Sequence, residues 1–214
     1  MTSPISEAQA QLSDTAPLVR RVVGLDPRSL VRVRLSAGSV TSFVRLPFDV
    51  LVGRTVKIRW AGGEIDCVVS ARDLLAWLDG TSREPPPPRD ALWHGTIPPG
   101  GGWRRVEMIP DAIVRNLVRK GAGALQDAAQ REGVPGGQPR AEVAGALLDS
   151  VVVTAQAGGL RAEVTLRTLS ALTRMGFMPR GSRAAIDLSG RWLRVAAEYG
   201  SVYAERRGSG LTVL

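Results

Sequence analysis

The stretch VRVRLSAGSVTSFVRL, residues 31–46, is followed 120 positions later by VVVTAQAGGLRAEVTL, residues 151–166. In the first, Val31, Val33 and Leu35 alternate with polar residues, Ala37-Gly38-Ser39 turns, and Val40, Val44 and Leu46 return. In the second, Val151, Val153 and Ala155 lead to Ala157-Gly158-Gly159, and Leu160, Ala162, Val164 and Leu166 answer. Period-two alternation about a glycine is the pattern of a β-hairpin with one buried face. Glycine suits the turn because tight hairpins require positive φ. Identities at Val31/Val151, Val33/Val153, Ala37/Ala157, Gly38/Gly158, Val44/Val164, Leu46/Leu166 and Arg54/Arg174 share one ungapped register, as an internal duplication would.

Each hairpin runs into a short apolar segment, PFDVLVGR in the first copy and RTLSALTR in the second. The second segment reads as a two-turn helix, while the valines of the first weaken that reading. A further hairpin is expected in both halves. In the first, Val56, Ile58 and Trp60 are answered by Ile65, Cys67 and Val69; in the second, Ile186 and Leu188 are answered by Leu193 and Val195. Residues 31–69 and 151–197 are thus expected to superimpose as hairpin, crossing segment, hairpin. The register between the copies moves from 120 to 128, so the second is longer by about eight residues, which fall within MGFMPRGSR, residues 175–183.

Around these halves, Asp73 to Leu78 and Pro139 to Leu148 read as helices, as does the run opened by Pro110-Asp111 and closed by Gly133 and Pro135. Pro4 to Leu12 and Pro17 to Val23 are shorter helical candidates, and EYGSVYAER reads as a final strand. Pro85 to Pro88 and Gly100 to Gly102 mark a connector rich in proline and glycine. The fold class is therefore α+β: two similar halves of antiparallel β-hairpins with short helices packed on the sheet, related by a pseudo-two-fold internal duplication. The expected division is a hairpin-rich N-terminal half at 1–80, a connector at 81–106, and a helical segment with the C-terminal half at 107–214.

A chain of 214 residues, 44% hydrophobic and without a long apolar run, is expected to be globular and not membrane-spanning. The polar, acidic start MTSPISEAQAQLSDTAP does not resemble a signal peptide, and one cysteine allows no internal disulfide. A cytoplasmic location follows as the expectation. Cys67, between Ile65 and Val69, reads as a core thiol. The single histidine, His94, excludes a histidine metal cluster, and no familiar nucleophile, phosphate-loop or zinc motif occurs. No catalytic residue, cofactor or metal is assigned.

The net charge of +8 points to an acidic partner. Basic character concentrates in residues 161–194, where Arg161, Arg167, Arg174, Arg180, Arg183, Arg191 and Arg194 face only Glu163 and Asp187. The inserted loop adds Phe177 and two methionines to that basic stretch. Arg174, Phe177, Arg180, Arg183, Arg191 and Arg194 are accordingly the expected partner-binding residues, with the loop projecting and its arginines forming one positive surface. The sequence thus indicates a non-enzymatic binding or adaptor module for an acidic macromolecule, a protein ahead of the alternative, DNA or RNA.

Overall fold

The computed structural model describes residues 9, 12–36, 38–59, 64–131 and 138–206. The chain divides into two compact units, residues 1–97 and 98–214. Both are α+β and antiparallel.

In the first unit, helix α1 (Ala16–Leu25) leads into β1 (Leu30–Ser36), β2 (Ser39–Leu46) and β3 (Val50–Lys57), then β4 (Ile65–Ser70) and helix α2 (Ala71–Leu78). The strands lie in the order β4-β1-β2-β3. Asp49, at φ 60°, makes the left-handed turn between β2 and β3. The β1–β2 hairpin was legible from its alternation, and the burial follows it. Val31, Val33 and Leu35 are buried, and so are Val40, Val44 and Leu46. On this face Val33 stands opposite both Ser42 and Cys67. Leu18, Val19 and Val22 of α1 are buried with Leu74, Trp77 and Leu78 of α2, and the two helices pack together. Ser70 caps α2 by accepting from Asp73 N–H at 3.3 Å.

The second unit opens with β5 (Arg104–Pro110), so the end of the expected connector is already strand. Helix α3 (Asp111–Arg131) and helix α4 (Gln138–Leu148) follow, then β6 (Val151–Ala157), β7 (Leu160–Thr165) and helix α5 (Leu166–Arg174). The chain closes with β8 (Arg183–Ser189), β9 (Trp192–Ala197) and β10 (Gly200–Glu205). Four strands lie in the order β5-β8-β9-β10, while β6 and β7 form a hairpin sheet of their own. Helices α3 and α5 pack on each other, and Leu169, Leu172, Ile186, Val195 and Val202 are buried.

The expected register of duplication is corrected by this topology. Strands β1 and β2 belong to the main sheet of their unit, whereas β6 and β7 stand apart. The expected second hairpin of the first half does not form either. Strand β3 pairs with β2, and β4 crosses to the far side of β1. The segment PFDVLVGR is a turn and strand, while RTLSALTR is a helix, so the two are not equivalents. Alternation specifies which face of a strand is buried but not which neighbour it pairs with.

The halves are similar on a different register. In each unit a helix runs into a three-stranded meander, α1-β1-β2-β3 and α5-β8-β9-β10. In each, a strand that leads into a second helix, β4-α2 or β5-α3, flanks the first strand of the meander. In the first unit that strand–helix pair comes after the meander, and in the second it comes before. Two expected features, the helix stop at Gly133 and Pro135 and the turn following Trp60, lie outside the described residues, as does most of the helix at 4–12.

Candidate functional site

The arginines of the two units fall into two populations. Several of those on or beside the strands pair with carboxylates. Arg32 and Arg34 of β1 share Asp66 of β4, with Arg32 Nε donating at 2.7 Å and Arg34 Nη2 at 2.9 Å. The Arg32 hydrogen bond, outweighing the opposing effect of burial, holds the Asp66 carboxyl below the usual carboxylate range. The same bond raises Arg32. In the second unit the carboxylate is Asp187 of β8, only 2% exposed. Arg194 of β9 donates to it at 2.7 Å and Arg105 of β5 at 3.2 Å. The Arg194 guanidinium lies 4.3 Å from the Trp103 ring centre, and Trp103 in turn packs on Tyr203, with ring centres 5.9 Å apart. Burial pushes the Tyr203 hydroxyl up. Arg161 pairs with Glu163 at 2.6 Å, and Arg191 with Glu205 at 3.6 Å.

The helices carry the other population. Arg20 and Arg21 of α1, Arg72 of α2, Arg119 and Lys120 of α3, and Arg174 at the end of α5 are all exposed. Of the helical acids, Asp73 pairs with Arg89 at 3.3 Å and Asp111 with Arg115 at 3.2 Å, while Asp127 and Glu142 are exposed. Arg20 also acts on the exposed Asp79 through space. Arg20, Arg21 and Arg72 in the first unit, and Arg119, Lys120 and Arg174 in the second, thus place positive charge on outward helix faces. An amphipathic helix sets this arrangement: with Leu18, Val19 and Val22 inward, Arg20 and Arg21 must point out.

The inserted loop does not project, and that expectation is corrected. Met175, Phe177 and Met178 are 0%, 1% and 4% exposed. Phe177 N–H donates to Leu172 O at 3.2 Å, and Phe177 O accepts from Tyr199 N–H at 3.0 Å. The loop is an anchor: its apolar side chains enter the core because no solvent-facing arrangement would bury them. Nor do the expected arginines form one surface. Arg183 begins β8 and donates to Met108 O at 3.1 Å, while Arg191 lies in the turn beyond its other end. At roughly 3.3 Å per residue, the intervening strand separates them by about 20 Å. Arg194 is committed to Asp187, and Arg180 is exposed on the loop. Of the expected set, Arg174 alone belongs to the outward helix faces. Arg20, Arg21, Arg72, Arg119 and Lys120 escaped the sequence reading because segment totals hid which acids were already paired.

Among the described residues, no three His, Cys, Asp or Glu gather as metal ligands. Among them, too, no helix is long and apolar enough to cross a membrane. His94 is exposed and Cys67 half-buried. Burial, with the nearby Asp90 and Asp66, pushes the Cys67 thiol up.

The helix-plus-meander fold is similar to that of the DNA polymerase sliding clamps. The sliding clamp from Caulobacter crescentus matches with a TM-score of 0.57 at 12% identity, over 96% of this chain and 65% of that one. The DNA polymerase III subunit beta from Pseudomonas aeruginosa matches at 0.56 and 13%, over 96% and 65%. The beta subunit from Thermotoga maritima matches at 0.51 and 11%, over 94% and 64%. The chain thus spans about two thirds of the length of these clamps, and the likeness is one of fold. In sequence, residues 98–209 match the model described as Domain of unknown function (DUF8185), and the chain belongs to that family. Residues 5–95 match a second, Domain of unknown function (DUF8010). No curated protein matches the sequence.

Proposed function

We propose that the chain is a non-enzymatic binding module whose outward helix faces meet a polyanion, and that the polyanion is the phosphate backbone of nucleic acid. One observation carries the reading. Asp66 and Asp187 each hold two strand arginines and Glu163 holds Arg161, whereas Arg20, Arg21, Arg72, Arg119, Lys120 and Arg174 stand exposed on the helices. Flexible cations on a helix face suit phosphates, which are repeated and uniform. Aromatic side chains that stack on bases are not part of these faces, so recognition independent of base sequence is expected. Proteins of similar fold described as sliding clamps of DNA polymerase support the same partner class.

The test is a salt titration of binding to duplex DNA, read by fluorescence anisotropy. Cations that neutralise phosphates release counterions, and each phosphate no longer neutralised flattens the log–log salt slope by about 0.9. Arg20→Ala/Arg21→Ala/Arg72→Ala tests the first unit, and Arg119→Ala/Lys120→Ala/Arg174→Ala the second. Arg161→Ala, a residue paired with Glu163, is the control. Weaker binding and a flatter slope for the helix variants alone support the reading. Duplex binding unchanged by either triple variant overturns it. An acidic protein partner is the second reading, favoured by the likeness in fold to a subunit of DNA polymerase III. It predicts the same loss for the helix variants against a protein ligand, without duplex binding by the parent.

A further inference from the structure

We propose that residues Arg89 and Asp90 close the free edge of β4 against strand pairing with a second copy of this chain. Strand β4 ends its sheet, with β1 on one side and, among the described residues of its unit, no strand on the other. An open edge displays unpaired N–H and C=O groups and invites strand addition. Here the outward groups of Val68 are both occupied from the connector. Arg89 N–H donates to Val68 O at 2.6 Å, and Val68 N–H donates to Asp90 Oδ1 at 2.6 Å. A main-chain donor and a side-chain acceptor thus imitate the two bonds that a neighbouring strand would make.

The seal is tied down at both ends. Arg89 Nη2 donates to Asp73 Oδ2 of α2 at 3.3 Å, and Trp93, just beyond, lies 6.0 Å from the Arg32 guanidinium. A short 3-10 turn, Asp90–Leu92, holds Asp90 in place. The segment cannot continue as a strand itself, because the four prolines before Arg89 lack the N–H groups a ladder needs. It covers one residue of the edge and then leaves it.

The occupant that this edge fits is its own copy. A two-fold antiparallel pairing centred on Val68 sets Val68 against Val68, Cys67 against Val69 and Asp66 against Ser70. No like charges meet, and the sequence IDCVVS is rich in β-branched residues. Because the Val68 N–H and C=O both point outward, the central pair would exchange two hydrogen bonds, at a Cα separation of about 5.5 Å. Such a contact is isologous and closes on itself.

The experiment compares full-length parent, Asp90→Ala and Asp90→Asn by size exclusion with light scattering across a concentration series. Asparagine keeps an oxygen that can accept from Val68, whereas alanine does not. A second readout introduces Val68→Cys in a Cys67→Ser background, since the separation above suits a disulfide. The expected result is a concentration-dependent doubling of mass and an oxidised Val68→Cys crosslink with Asp90→Ala, and neither change with Asp90→Asn. Should Asp90→Ala lose its folded far-UV signal, Arg89→Ala, which frees the tie to Asp73, takes its place with both readouts. Parent-like mass without a crosslink in the folded variant overturns the proposal. So does a gain of mass that Asp90→Asn shares equally.

Discussion

Gly200 lies against the ring of Phe177 so closely that a Cβ built on it would stand 2.6 Å from the ring's Cε1. The ring is 1% exposed, so it has no solvent-side space into which to retreat. Gly200→Ala is therefore expected to destabilise the second unit by about 1–3 kcal/mol through overpacking. Phe177→Ala is expected to cost about 3–5 kcal/mol. Thermal or urea unfolding measures both. A Gly200→Ala variant as stable as the parent would show that Phe177 is not held at the start of β10.

The Asp187 cluster predicts an order of effects. Removing Arg194 leaves a buried carboxylate with only the more exposed Arg105, whose side chain is 60% accessible. Arg194→Ala is expected to cost on the order of 3 kcal/mol. Arg105→Ala is expected to cost less than about 1 kcal/mol, since solvent already screens that charge. Chemical denaturation of the two variants checks the ranking, and equal losses would contradict it.

Acid is expected to weaken the first unit through Asp66. Its carboxyl is held low in the folded state, chiefly by Arg32, so the unfolded chain takes up the proton first as pH falls. The stabilisation is present above the unfolded value of about 3.9 and is lost as pH drops through the folded one. Asp66→Asn is expected to flatten the fall in melting temperature across that window. An unchanged acid limb would remove Asp66 from the account.

Cys67 is expected to react slowly with thiol reagents in the native state. The side chain is half-buried opposite Val33, and burial holds the thiol protonated. Labelling followed by mass, native against denatured, measures the protection. Comparable rates would show that the β4 face opens readily.

The strands and helices were legible because each is written locally. Alternation at Val31, Val33 and Leu35 marks a strand wherever it pairs, and Pro110-Asp111 starts a helix whatever lies beside it. Pairing was not legible. The repeat between residues 31–46 and 151–166 is a likeness of two hairpins, and one of them joins a sheet that the other leaves. The loop at 175–183 shows the same limit. Phenylalanine between methionines fits a docking surface or a core anchor, and only the presence of Gly200 beneath the ring decides for the anchor.

Composition and local pattern by themselves determined the α+β class, the places of most strands and helices, and the surplus of positive charge. Tertiary structure alone decided where that charge remains active. An ion pair forms between residues far apart in sequence, as Arg105 and Asp187 do across β5 and β8. A count along the chain therefore cannot tell a neutralised arginine from an exposed one. Which cations stay outward depends on which carboxylates the sheet brings within hydrogen-bonding reach, and strand order sets that through long-range packing, not local propensity.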